Sequence, residues 1–169
     1  MKLFGAVLLA AASTAIGLLK ALGLKSSVLT LNETISLLEL VRNEICTSKT
    51  PLKQIFNCAK LPDYKCITEF VNSIEAEMSK LGNKTFAQIW CEGVDDHLMP
   101  LSEKSRQALK NLGSSLGKYD AELQAASIDR CINELTAEYS VLNEGLKCNE
   151  KMFIGLGKGI GLIFSIILI

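Results

Sequence analysis

Two long apolar runs bracket this chain and limit its architecture more than anything between them. Residues 3–19, LFGAVLLAAASTAIGLL, carry no charge, and Leu22 and Leu24 extend the run to about the 20 residues that a bilayer-crossing helix requires. Residues 153–169, FIGLGKGIGLIFSIILI, hold one charge, Lys158, whose stem can lie along a helix and carry its ammonium to the interface. Both runs read as transmembrane helices. The expected organisation is an N-terminal anchor at 1–24, a helical bundle at 25–150 and a C-terminal anchor at 151–169. Gly155 and Gly159, like Gly157 and Gly161, stand four apart and leave one helix face open to close packing, and Ala6, Ala10 and Ala11, Ala15 repeat the spacing. A cleaved signal peptide competes for the first run, because Lys2 and the small Ser13-Thr14-Ala15 stretch suit one. Against it, the apolar character continues through Ile16, Leu18 and Leu19.

Two spans place the intervening domain on one side of the membrane, and charge decides which. Lys20, Lys25, Lys147, Lys151 and Lys158 lie toward the domain, against Lys2 alone at the outer ends. Positive residues are retained on the cytoplasmic side, so the domain is expected there. Lys plus Arg equals Asp plus Glu at 18 each, leaving no net field to collect nucleic acid. The six cysteines, Cys46, Cys58, Cys66, Cys91, Cys131 and Cys148, include no Cys-x-x-Cys pair, and His97 is the only histidine. Zinc is disfavoured and the thiols read as reduced or buried. The alternative keeps the signal peptide and pairs the six thiols in a secreted helical protein.

The middle of the chain has helical period throughout. Val28, Leu31, Ile35, Leu38, Val41 and Ile45 recur at steps of three and four. Thr50-Pro51 opens a short helix through Leu52, Ile55, Phe56 and Cys58. A third helix, over 66–81, carries Ile67, Phe70, Val71, Ile74 and Met78, and stops at Gly82-Asn83. Thr85 and Gln88 match a capping box for a helix with Ile89 and Trp90. Residues 93–100 read as a loop. There Asp95, Asp96 and His97 form the one candidate for metal or general-base chemistry, set against the plainer reading of acids before the next helix. A fifth helix runs from Ser102 to Leu116. In the sixth, Ala121, Ala125, Ile128, Ile132, Leu135, Tyr139, Leu142 and Leu146 form a heptad seam of about four repeats, roughly 40 Å long. It is expected to pack on 28–45 and to run nearly unbroken into the second apolar run, with Gly145 and Gly155 as weak points. No phosphate loop, His-Glu-x-x-His or Gly-x-Ser-x-Gly is present, so no enzyme activity, cofactor, metal or small-molecule substrate is expected. The fold class is all-α, an antiparallel bundle of about six helices with a transmembrane helix at each end.

The run Leu112-Gly113-Ser114-Ser115-Leu116-Gly117-Lys118-Tyr119-Asp120, with Gln124, then Asn149-Glu150-Lys151-Met152 and Leu156-Gly157, resembles the stage III sporulation protein AB family. So do Pro51-Leu52 opening a short helix, Ala87-x-x-Trp90 and the Gly-rich apolar end. The resemblance implies a part in endospore formation, as a component of the channel-like complex joining mother cell and forespore. It also implies a domain similar to the cytoplasmic domains of type II secretion platform proteins, coupling a cytoplasmic ATPase to the membrane complex without catalytic residues of its own. Gly113 and Gly117 then either permit a close helix crossing, or Gly117 caps the fifth helix while Asp120 caps the sixth. If the same corner is a docking surface, Leu112, Gly113, Leu116, Gly117, Lys118, Tyr119, Asp120 and Gln124 are its candidates, with Lys118, Tyr119 and Gln124 exposed.

Overall fold

A computed structural model describes the backbone of residues 2–48, 51–58, 65–79, 84–117 and 120–168, and within these the side chains between 22 and 147 save 53, 57 and 58. Six α-helices account for it: α1 Lys2–Asn43, continued by a wider π-helical turn at Glu44–Ser48, then α2 Leu52–Cys58, α3 Thr68–Ser79, α4 Phe86–His97, α5 Glu103–Ser115 and α6 Ala121–Leu168. No strand occurs among the described residues. The chain divides into two compact units. One, Ser26–Tyr139, is the helical bundle; the other comprises Met1–Lys25 and Ser140–Ile169.

The bundle core follows from the stripes that the sequence lays on its helices. On α1 and its terminal turn, Val28, Leu31, Leu37, Leu38, Val41 and Ile45 are buried, whereas Ile35 is only half-buried. The stripe is thus wider than one seam and takes in two threonines. Thr30 and Thr34 are buried with their hydroxyls donated to the carbonyls of Ser26 (2.9 Å) and Thr30 (2.7 Å), so neither leaves an unsatisfied polar atom. On α3, Phe70, Val71 and Ile74 are buried and Ile67 just before it is too. On α6 the buried residues are Ala125, Ile128, Cys131 and Leu135, while Ala121, Ile132, Tyr139, Leu142 and Leu146 are half-buried. The heptad seam therefore closes fully only around 125–135, where Arg42 on α1 meets Asp129 on α6 at 2.5 Å.

The expected loop at 93–100 is mostly helix. Its apolar positions explain the difference: Ile89, Trp90, Gly93 and Val94 make a continuous buried face on α4, and the backbone N–H of buried Leu98 caps the helix at the carbonyl of Val94. A Cβ on Gly93 would stand 3.2 Å from the Phe70 ring, so the glycine marks a tight packing point within the helix. Only the turn at 98–101 remains, closed by the Leu101 N–H on the Leu98 carbonyl at 3.1 Å. At the other end of α4 the capping box is present, with the Thr85 hydroxyl accepting from the Gln88 N–H (3.4 Å) and the Gln88 side chain accepting from the Thr85 N–H (2.8 Å).

The segment leading into α3 is fixed from α1. Glu33 on α1 supplies the acceptor, its carboxylate taking the backbone N–H groups of Lys65 (3.0 Å), Cys66 (2.7 Å) and Ile67 (3.2 Å). A carboxylate beside a helix N-terminus opposes the dipole, and here it also satisfies three N–H groups of the residues just ahead of α3.

Both long helices continue past the bundle without a break. The 42 residues of α1 and the 48 of α6 correspond to roughly 63 and 72 Å of helix. The helix α6 runs on through Gly145 and Gly155. Among the described residues no helix is long and apolar enough to cross a membrane. The side chains of both apolar runs, with Gly155, Gly157, Gly159 and Gly161 and the alanine pairs, lie outside the described residues.

Candidate functional site

The corner between α5 and α6 carries most of the residues singled out in the sequence, and it is built in two layers. The helix α5 opens at Ser102, whose hydroxyl accepts from the Ser105 N–H at 3.2 Å. It presents Leu109, Leu112 and Leu116 to the core, all buried. Gly113 lies on the same side against the indole of Trp90. A Cβ there would fall 2.3 Å from Trp90 Cδ1 and 2.8 Å from Cγ, inside any possible contact distance. The indole is held by three contacts: its Nε1–H donates to the Leu109 carbonyl at 2.8 Å, and its ring stands edge-on to Phe70 at 5.2 Å and tilted to Phe86 at 5.7 Å.

Gly117 has a different task. Its φ of +78° is the left-handed conformation that ends helices, and a Cβ would meet only Leu52 Cδ1 at 3.6 Å, an ordinary contact. The conformation, not the space, calls for glycine. Its N–H is accepted by Gln124 Oε1 at 3.3 Å, and Asp120 Oδ1 accepts the Leu123 N–H at 3.0 Å to start α6. So both readings of the paired glycines hold, each for a different one: Gly113 permits the close crossing, and Gly117 with Asp120 caps the turn. Gln124 is half-buried and engaged in the corner itself, while Lys118 and Tyr119 lie outside the described residues.

Beside this corner, residues of α5 and α6 line an open groove of about 700 Å³. Leu112 and Cys131 form part of its floor, and Leu123, Ala126, Arg130 and Glu134 part of its rim. Leu123 is exposed despite its size. Burial pushes the Cys131 thiol up to about 12, with the nearby Glu134 carboxylate adding to the shift. It stays protonated at physiological pH and is no nucleophile. Cys91 is raised too, chiefly by burial, with Lys110 opposing the shift and Asp95 adding to it. Cys46, Cys66, Cys91 and Cys131 are all free thiols; Cys58 and Cys148 lie outside the described side chains.

Asp95 of the acidic candidate is drawn into ion pairs along the bundle. Asp95 lies 2.6 Å from Lys110 and 4.0 Å from Arg106 on α5, and His97 Nδ1 is 3.8 Å from Glu69 on α3. Asp96 is exposed. Among the described residues no three His, Cys, Asp or Glu side chains gather closely enough to hold a metal ion.

Three ties had no signal in the sequence: the Trp90–Gly113 contact, the hold of Glu33 on residues 65–67, and a pair of serines on Glu138. Ser102 and Ser105 each donate to Glu138 Oε2 on α6 at 2.8 Å. The family model described as stage III sporulation protein AB matches residues 2–169. No curated protein and no solved structure matches the chain.

Proposed function

From the premise that the chain belongs to the stage III sporulation protein AB family and has a role in sporulation, we propose that it is a non-catalytic, membrane-anchored platform component of the complex joining mother cell and forespore. The observation that carries this reading is the continuity of α1 and α6, the helices that begin and end the bundle, with the two apolar runs. A bundle held through two unbroken helices can present a surface to partners while each helix end crosses the bilayer. The lysine bias supports a bundle on the mother-cell cytoplasmic side, within reach of a cytoplasmic secretion-type ATPase. Other proteins of the channel complex are its further partners, and the α5–α6 groove, with Leu123 and Ala126 on its rim, is the surface offered to them.

Thiol labelling tests the topology. Cys46 is exposed and Cys66 half-buried, so a membrane-impermeant maleimide applied to intact sporulating cells should label neither until the cells are permeabilised. Labelling in intact cells would place the bundle outside and remove the ATPase from the proposal. Replacing Leu123 and Ala126 together by Glu should release the channel partners from co-purification without changing the melting of the bundle. Unchanged co-purification would move the docking surface elsewhere.

A further inference from the structure

The groove beside the α5–α6 corner is lined by Ala108, Leu112 and Ser115 on α5 and by residues between Leu123 and Glu134 on α6. The α6 wall is roughly 17 Å long, about three helical turns. Its polar lining is largely satisfied from within. The Ser115 hydroxyl donates to the Leu112 carbonyl at 2.8 Å, the Ser127 hydroxyl to the Leu123 carbonyl at 2.9 Å, and Asn111 Oδ1 accepts from Gln107 Nε2 at 3.1 Å. Covering these groups therefore strands few of them without a partner.

Two lining groups differ. Arg130 and Glu134 are exposed and stand one turn apart on α6, and neither forms an ion pair or hydrogen bond with another described residue. The wall thus offers one positive and one negative charge, beside the bare side chain of Leu123, 55% exposed. Both walls are helices, whose backbone groups bond internally. They provide no ladder for an extended strand, which would leave its own N–H and C=O groups unpaired on entering the groove. A helix has no such deficit. A second copy of this chain would bring the same hollow, and an isologous contact demands a surface complementary to itself.

We infer that the groove takes one amphipathic helix of a partner protein, its apolar stripe laid over Leu112 and against Leu123, with an acidic and a basic side chain one turn apart answering Arg130 and Glu134. The inference rests on the reading of this groove as the docking surface and deepens it by naming what docks. The small side chains of Ala108, Ala126 and Ser127 let the occupant's backbone approach, so the bulk comes from the occupant, as large apolar residues at steps of three and four. The acid faces Arg130 and the base faces Glu134; charge pairs at such a rim fix register and orientation more than affinity.

The test uses the full chain in sporulating cells, with p-benzoyl-phenylalanine in place of Leu123 and the photo-adduct mapped by peptide mass spectrometry. The adduct should fall on one segment of another protein, with apolar residues at steps of three and four and an acid and a base one turn apart. Glu134→Arg, a change at an exposed position that should leave the melting of the bundle unaltered, should cut the adduct yield about tenfold, and replacing the segment's base by Glu should restore it. An adduct on a second copy of this chain, an adduct on a segment without that spacing, no adduct, or a yield indifferent to Glu134→Arg would each overturn the inference. Co-purification separates the two levels. Partners that stay bound when Leu123→Glu and Ala126→Glu are combined remove the groove as docking surface and this inference with it; partners released by that pair of changes, but with an adduct that fails these criteria, remove the inference alone.

Discussion

Gly113 and Gly117 stand one helical turn apart in the same stretch, yet the fold uses them for opposite reasons. At Gly113 the backbone is ordinary helix and the indole of Trp90 leaves no volume for a Cβ. At Gly117 there is volume but the φ of +78° excludes most side chains. One glycine answers to a residue 23 positions away in another helix, the other to its own backbone. The lesson is that a spaced pair of glycines is not one motif until each has been assigned a steric or a conformational cause.

The contrast breaks most readily on the crossing side. Trp90→Ala should cost about 3–5 kcal/mol in denaturant unfolding of the full chain. Gly113→Ala should cost about 1–3 kcal/mol through overpacking, and much of that loss should vanish in a Trp90→Leu background. A neutral Gly113→Ala would mean that the indole moves freely and the crossing is not set by volume. The segment leading into α3 sharpens the same contrast, because its acceptor also comes from across the fold: Glu33→Ala should cost about 1–3 kcal/mol, measured the same way. On the conformational side, Gly117→Val should cost about 1–2 kcal/mol, and Gly117→Asn only a few tenths, since asparagine accepts the left-handed region. Equal costs for Val and Asn would show that the corner needs space after all. The smallest effect is expected at the acidic candidate, where Asp95→Asn removes a half-exposed pair with Lys110 and should change stability by about 0.2–1 kcal/mol, less at high salt.

Legibility in the sequence divides along the same line. The Thr85–Gln88 box, the Ser102 start, the Gly117 stop and the Asp120 cap were all readable, because each is a bond between a side chain and backbone three residues away or a single backbone angle. The helical class and the buried face of α3 follow from periodicity. The extension of α4 through Gly93 to His97 was hidden by a glycine and two aspartates that look like loop residues in isolation; the Phe70 ring explains the glycine. Ile35 gave way to Leu37 because α1 presents a broader face than one seam. The bonds from Glu33, Ser27 and Glu138 span 32 or more residues, and nothing in local spacing marks such partners. The groove is equally silent, since an exposed leucine on α6 reads in sequence like any other off-seam residue.

The hold of Glu33 on residues 65–67 also has a consequence for the order in which the chain acquires its structure. A helix of 12 residues such as α3 is marginal by itself, since nucleation is unfavourable and propagation over so short a length hardly repays it. With the N–H groups of residues 65–67, just ahead of it, accepted by a residue more than 30 positions earlier, the segment leading into α3 is fixed by docking on α1, after a loop of about that length has closed. As α1 leaves the ribosome first, the carboxylate is waiting when residues 65–67 emerge. Maturation of α3 then reports on the arrival of α1, and a chain whose first helix is delayed or misplaced would hold α3 as a fluctuating segment until it comes.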